Sequence, residues 1–300
     1  MRLSKTKKMR AMVRSFCLVI LVCFCTTLFG QANTDSLQQK RLKPLIITSS
    51  IVYTGALVGL NELWYSDFER ESFHFFNDHT EWKQMDKAGH FYAAFHISKG
   101  GYRVLQWAGQ ENDKAILWGT LLSAIVLTPI EIFDGFSSAY GASYSDLIAN
   151  SAGGAFFYLQ QKHWGDIKIH PKFSFRRSQY PAVRPELLGK SFQEELLKDY
   201  NAQTYWLSVD LSKIIHSNFP KWLNLAVGYG VTNMVAARDS QSTEMGYTPQ
   251  RQYYLALDFD FNEYKTKSKF INTLLYLVNM IHLPAPTLEL SDKLKFHPAY

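Results

Sequence analysis

Apolar and polar positions change their rhythm about halfway along the chain. Residues 44–60, 115–130 and 147–161 carry no charged side chain, and a shorter apolar stretch covers 91–97; these runs predict helices. At 15 to 17 residues they sit at or just below the ~20 residues that a hydrocarbon core requires. A mean hydropathy of −0.16 is low for a chain built wholly of spanning helices. The pattern therefore predicts a membrane-associated helical bundle over residues 44–162, joined to a wetter region.

Past His163 the long apolar runs stop. Pro171, Pro181, Pro185 and the pair Arg176-Arg177 predict a linker or extended segment over 163–200. Residues 205–211 and 253–261 then alternate, and 223–230 form a short apolar run, which predicts antiparallel strands in a smaller C-terminal region, 201–300. Gly228-Tyr229-Gly230 lacks the remainder of a dinucleotide fingerprint and predicts a turn or bulge. Phe270, Leu274, Leu277, Val278 and Ile281 are spaced for an amphipathic helix that Pro284 and Pro286 stop. The fold class expected is α+β.

The 300 residues carry a net charge of +6, but six of the Lys and Arg residues and no acid fall in residues 1–32. The rest is neutral, without the basic footprint that a phosphate backbone requires, so nucleic acid is not an expected partner. The basic start, the apolar run 16–29 and the small residues Gly30 and Ala32 predict a cleaved export signal over 1–32. Cys17, Cys23 and Cys25 all lie inside it. A mature chain would then have neither disulfide nor thiolate chemistry. An exported, periplasmic and membrane-associated envelope protein is expected.

Three polar pairs interrupt the apolar helices, each on one helix face: Asp86 with His90, Glu131 with Asp134, and Asp146 with Asn150. Charged groups in apolar helices are costly unless they meet partners, so the economical arrangement gathers all six into one buried cluster with Lys87 at its rim. Ser145, Ala149 and Gly153 form a ridge of small residues suited to close helix contact.

Three segments carry a resemblance: Asp86-Lys87-Ala88-Gly89-His90-Phe91, then Glu131-Ile132-Phe133-Asp134-Gly135-Phe136, then Ser145-Asp146-Leu147-Ile148-Ala149-Asn150-Ser151-Ala152-Gly153. In this order they resemble the YfiM-like family of predicted periplasmic lipoproteins, and the motif order is similar to that of the VanZ-like membrane proteins. The resemblance covers about 44–162 and implies a small helical envelope domain of no established activity.

Three functions stay open. The cluster can bind a lipid or cell-wall precursor head group, with Lys87 and a protonated His90 meeting a phosphate. It can hold a divalent metal on His90, Glu131, Asp134 and Asp146 for hydrolysis of an envelope lipid or phosphoester. It can also simply tie helices together in a scaffold that docks another envelope protein. A membrane lipid or an envelope protein is the expected partner, and neither a catalytic residue nor a cofactor is assigned.

Overall fold

A computed structural model describes residues 36–300 apart from 62–64, 66, 67, 216–218 and 292. The expected signal and its three cysteines lie outside the described residues. The fold is α+β: long helices fill the N-terminal half, and a six-stranded antiparallel sheet follows in the C-terminal half. The chain forms two compact units, one running up to Phe76 and including Ile97–Ser143, the other made of Asn77–His96 and Tyr144–Tyr300.

The first unit contains α1 (Ser36–Leu60), the C-terminal half of α2 (Met85–Trp107) and α3 (Asn112–Gly135). Leu42, Ile46, Leu105, Ala108 and Ala115 make one apolar core, and Leu57, Tyr65 and Phe133 make another. Helices α2 and α3 approach closely because Gly119 is glycine: a Cβ there would sit 2.6 Å from the Tyr102 backbone nitrogen. Lys40–Leu60 and Asn112–Gly135 are long and apolar enough to cross a membrane.

The second unit joins the N-terminal half of α2 and α4 (Tyr144–Trp164) to the sheet. Gly153 supplies the close contact expected of the small-residue ridge, since a Cβ on it would lie 2.2 Å from the Phe91 carbonyl oxygen. The sheet is a meander of β1 (Ile169–Phe175), β2 (Gln203–Val209), β3 (Leu223–Thr232), β4 (Gln250–Phe259), β5 (Thr287–Leu290) and β6 (Leu294–His297). β1 is a sheet edge, where Pro171 costs no ladder bond on its free side. Gly228-Tyr229-Gly230 is the middle of β3 rather than a turn. The Trp206 indole lies over Gly228, whose added Cβ would come within 2.6 Å of the ring.

The buried side of the sheet mixes an apolar cluster of Trp206, Ala226, Tyr254 and Ala256 with several polar side chains, and its more open side carries apolar ones. Thr204, Trp206, Ser208, Asn224, Asp258, Thr287 and Glu289 are buried, while Leu207, Val227, Tyr253, Leu257 and Leu290 are exposed. The buried side is held by a closed ionic group. Lys172 Nζ lies 2.6 Å from Asp258 Oδ2 and donates to the Phe259 carbonyl and to Asn279 Oδ1. Asp258 Oδ1 is 2.9 Å from His282 Nδ1, and the His282 ring stacks on Trp206 at 3.9 Å. Burial acts to raise the Asp258 pKa, but the bond from His282 and the Lys172 charge hold it below the ordinary range.

The amphipathic helix, α5 (Lys269–Val278), ends before the prolines expected to stop it. Its C-cap, Asn279, turns inward and accepts from the Phe261 backbone N–H and from Lys172. The chain beyond it bonds to β1, with Phe173 N–H donating to Met280 O and His282 N–H to Phe173 O.

Candidate functional site

The start of α2 is aimed by a strained turn. Trp82, Lys83 and Gln84 have φ of 48°, 49° and 65°, a left-handed run that L residues adopt only under compulsion. Distant residues hold it. Trp82 N–H donates to Ala237 O at 2.7 Å, Lys83 pairs with Asp239 at 2.6 Å, Tyr229 donates to Lys83 O, and Arg251 donates to Gln84 Oε1.

Asp86 and Asp146 then lie in the first turns of α2 and α4, where the helix dipole favours a negative charge. One turn further along each helix stand His90 and Asn150. His90 Nδ1 is 3.0 Å from Asn150 Oδ1, an amide oxygen that only accepts, so Nδ1 donates. Nε2 faces Asp86 Oδ1 at 3.7 Å and Asp146 Oδ1 at 3.8 Å, too long for hydrogen bonds but convergent. Lys87 sits between carboxylates, with Nζ 2.9 Å from Asp86 Oδ2, 2.8 Å from Asp146 Oδ1 and also bonded to Asp78. Ser145 donates to Asp78, and Tyr200 donates to Asp86 Oδ1 at 2.9 Å. Asn150 Nδ2 is buried and has no hydrogen-bond partner among the described residues.

The charges divide the two aspartates. For Asp86, burial works toward a higher pKa, but the His90 and Lys87 charges and the bonds from Lys87 and Tyr200 bring it below the ordinary range. Asp146 is pushed up to about 7, first by burial and then by the Asp86 charge, against His90 and Lys87. Burial would weaken the Lys87 ammonium, yet Asp86 and Asp146 keep it charged above its usual range. The group remains partly open, with the Asp86 side chain 28% and the His90 side chain 19% exposed.

Of the seven residues expected to meet, Asp86, Lys87, His90, Asp146 and Asn150 are together in the second unit. Glu131 and Asp134 belong to the first unit and have partners there: Glu131 Oε2 accepts from Ser143 N–H at 3.1 Å, and Asp134 Oδ1 accepts from Tyr65 at 2.7 Å. Among the expected metal ligands, His90 and Asp146 converge with Asp86, their donor atoms all within 4.8 Å of one another. Sequence reasoning missed Asp78 and Tyr200, which lie outside any long helical pattern.

Beside this group is an apolar pocket of about 340 Å³ lined by Ala88, Phe91 and Tyr92 of α2 and by Tyr205, Val227 and Tyr253 of the open sheet face, among others. Tyr205 belongs to both environments: burial first, and then the Asp86 charge, raise its pKa.

Among known proteins, residues 73–162 match a family described as predicted periplasmic lipoprotein (DUF2279), less than half of the chain. The match includes all seven of the polar residues named from the sequence. No curated protein and no solved structure matches the chain. The family similarity supports an exported, periplasmic envelope setting.

Proposed function

We propose that this exported envelope protein binds an amphipathic envelope molecule in its second unit, with a polar head at Asp86, His90, Asp146 and Asn150 and an apolar chain in the aromatic pocket. The observation that carries the reading is the interleaving of the two environments on one stretch of α2. Asp86, Lys87 and His90 serve the polar group, while Ala88, Phe91 and Tyr92 line the pocket. Two of the three polar segments read from the sequence, those around Asp86 and Asp146, meet at this site.

The geometry narrows the head group. Lys87 is engaged by three carboxylates, so it offers no free cation to a phosphate. The acids outnumber the bases, and the side chains that reach solvent are those of Asp86 and His90, with the Asn150 amide beside them. This set suits hydroxyl or amine groups, as on a sugar-bearing or amine-bearing lipid. Lipid released from the purified protein and identified by mass spectrometry tests the reading. Bound lipid should be lost in Asp86→Asn and His90→Ala variants whose circular dichroism is unchanged. A protein that releases no lipid, or releases the same lipid from these variants, overturns it.

One observation favours a second reading. The convergence of Asp86 Oδ1, His90 Nε2 and Asp146 Oδ1 suits a divalent ion, which would supply the missing positive charge and activate water for hydrolysis of an envelope lipid or phosphoester. Stoichiometric metal in the purified protein, lost in Asp146→Ala, would separate this reading from the first.

A further inference from the structure

α5 is a helix whose apolar side has no cover among the described residues. Phe270 is 77% exposed, and Ile271, Leu274, Leu277 and Ile281 are exposed too. At 100° per residue, Phe270, Leu274 and Leu277 fall within an arc of roughly 60°, a single stripe. None of the ten residues of the helix is buried. Tyr264, just ahead of it, is exposed as well.

The charges around this stripe all have one sign. Lys265, Lys267 and Lys269 are exposed and enter no carboxylate pair among the described residues, and the sequence has no acid from Tyr264 to Leu288. An apolar stripe flanked by three free ammonium groups complements a surface that is anionic at its rim and apolar beneath. A water-facing helix does not need the stripe, and a purely apolar protein partner does not need the lysines. We infer that α5, with Lys265, Lys267 and Lys269, is an interfacial anchor that lays the C-terminal unit on a lipid bilayer bearing anionic head groups. The aromatic and leucine side chains enter the boundary between head groups and acyl chains, and the lysines stay at head-group level. This anchor is independent of the two apolar helices of the first unit and of the Asp86–His90 group.

The test must read α5 itself, because the long apolar helices can bring the chain to lipid on their own. The full chain, with Cys17, Cys23 and Cys25 changed to serine, carries an environment-sensitive fluorophore on Leu274→Cys or, as a control, on the exposed position Glu244→Cys. Each form is mixed with vesicles of phosphatidylcholine alone, or of phosphatidylcholine and phosphatidylglycerol in equal parts. The label at 274 should shift to the blue and become shielded from acrylamide on the anionic vesicles, while the label at 244 stays in water. Raising the salt concentration should weaken the shift. Changing all three lysines to glutamine should weaken it by roughly fivefold per lysine at low salt. Equal shifts on both vesicle types, or a label at 274 as accessible as that at 244, would overturn the proposal. So would a shift that follows protein concentration without lipid, which would mean that a second copy covers the stripe.

Discussion

Two lysine-centred ionic groups of the second unit are built from nearly the same parts, and they differ in their access to solvent. Lys172, Asp258 and His282 are fully buried, with the lysine's partners supplied by one strand, β4, and a helix cap. Lys87, Asp86, Asp146 and His90 repeat the lysine, aspartate and histidine chemistry, but Asp86 and His90 reach solvent. In the closed group the lysine and the histidine meet one aspartate, and the sheet gains a fixed interior. In the open group three carboxylates surround the lysine, so acids exceed bases, and the Asp86 and His90 side chains stay within reach of solvent. Composition alone does not separate a closed structural ion group from an open one; solvent access and charge balance do.

The largest effect should come from breaking the closed group. Lys172→Met strands the Asp258 charge in a site without water and should cost about 3–5 kcal/mol in denaturant unfolding. Gly153→Ala should cost about 1–3 kcal/mol, because the new Cβ meets the Phe91 carbonyl and pushes α4 from α2. It should also abolish ligand retention while leaving the Lys172 group intact, which sharpens the contrast. Lys87→Met should cost less than Lys172→Met, about 1–2 kcal/mol, because Asp86 can turn to water. An equal loss for the two lysines would erase the distinction.

A pH dependence tests the open group from another side. In the folded chain Asp146 keeps its proton up to about pH 7, while its ordinary pKa is 3.8. Between these values the folded state holds the extra proton, so stability should fall as pH rises from about 4 to about 7. Asp86, lowered instead, acts in the opposite sense and only below its ordinary pKa of 3.8. Thermal unfolding across this range should show the decline, and Asp146→Asn should flatten it.

The elements that the sequence revealed are those whose pattern runs long enough to declare a period. The three apolar helices and β2, β3 and β4 fall where their runs predict them. β1 escaped notice because His170, Pro171 and Lys172 interrupt any alternation, and because its buried positions are polar. β5 and β6, at four residues each, are too short to show a period. Alternation also does not tell which parity faces inward. Here Thr204 and Ser208 are covered beside Trp206 while Leu207 is exposed, so polar and apolar residues share the inward parity. The candidate site was legible where spacing puts two groups on one helix face, as for Asp86 with His90 and Asp146 with Asn150. Spacing is silent on which faces meet, so Glu131 and Asp134, equally well spaced, could not be assigned to a different unit in advance. Asp78 and Tyr200 enter from segments with no period at all.

The left-handed turn at residues 82–84 fixes the order of events in building this site. Its anchors, Tyr229, Ala237, Asp239 and Arg251, come from a part of the chain about 150 residues later, and without them the turn has no reason to hold its unfavourable backbone. Helix α2 can form earlier, but its first turn, with Asp86 and Lys87, cannot be set at its final angle until β3 and β4 are in place. The polar group on α2 and α4 is therefore completed late. A chain emerging from N- to C-terminus would have synthesised Asp86, His90, Asp146 and Asn150 well before they could take their final places.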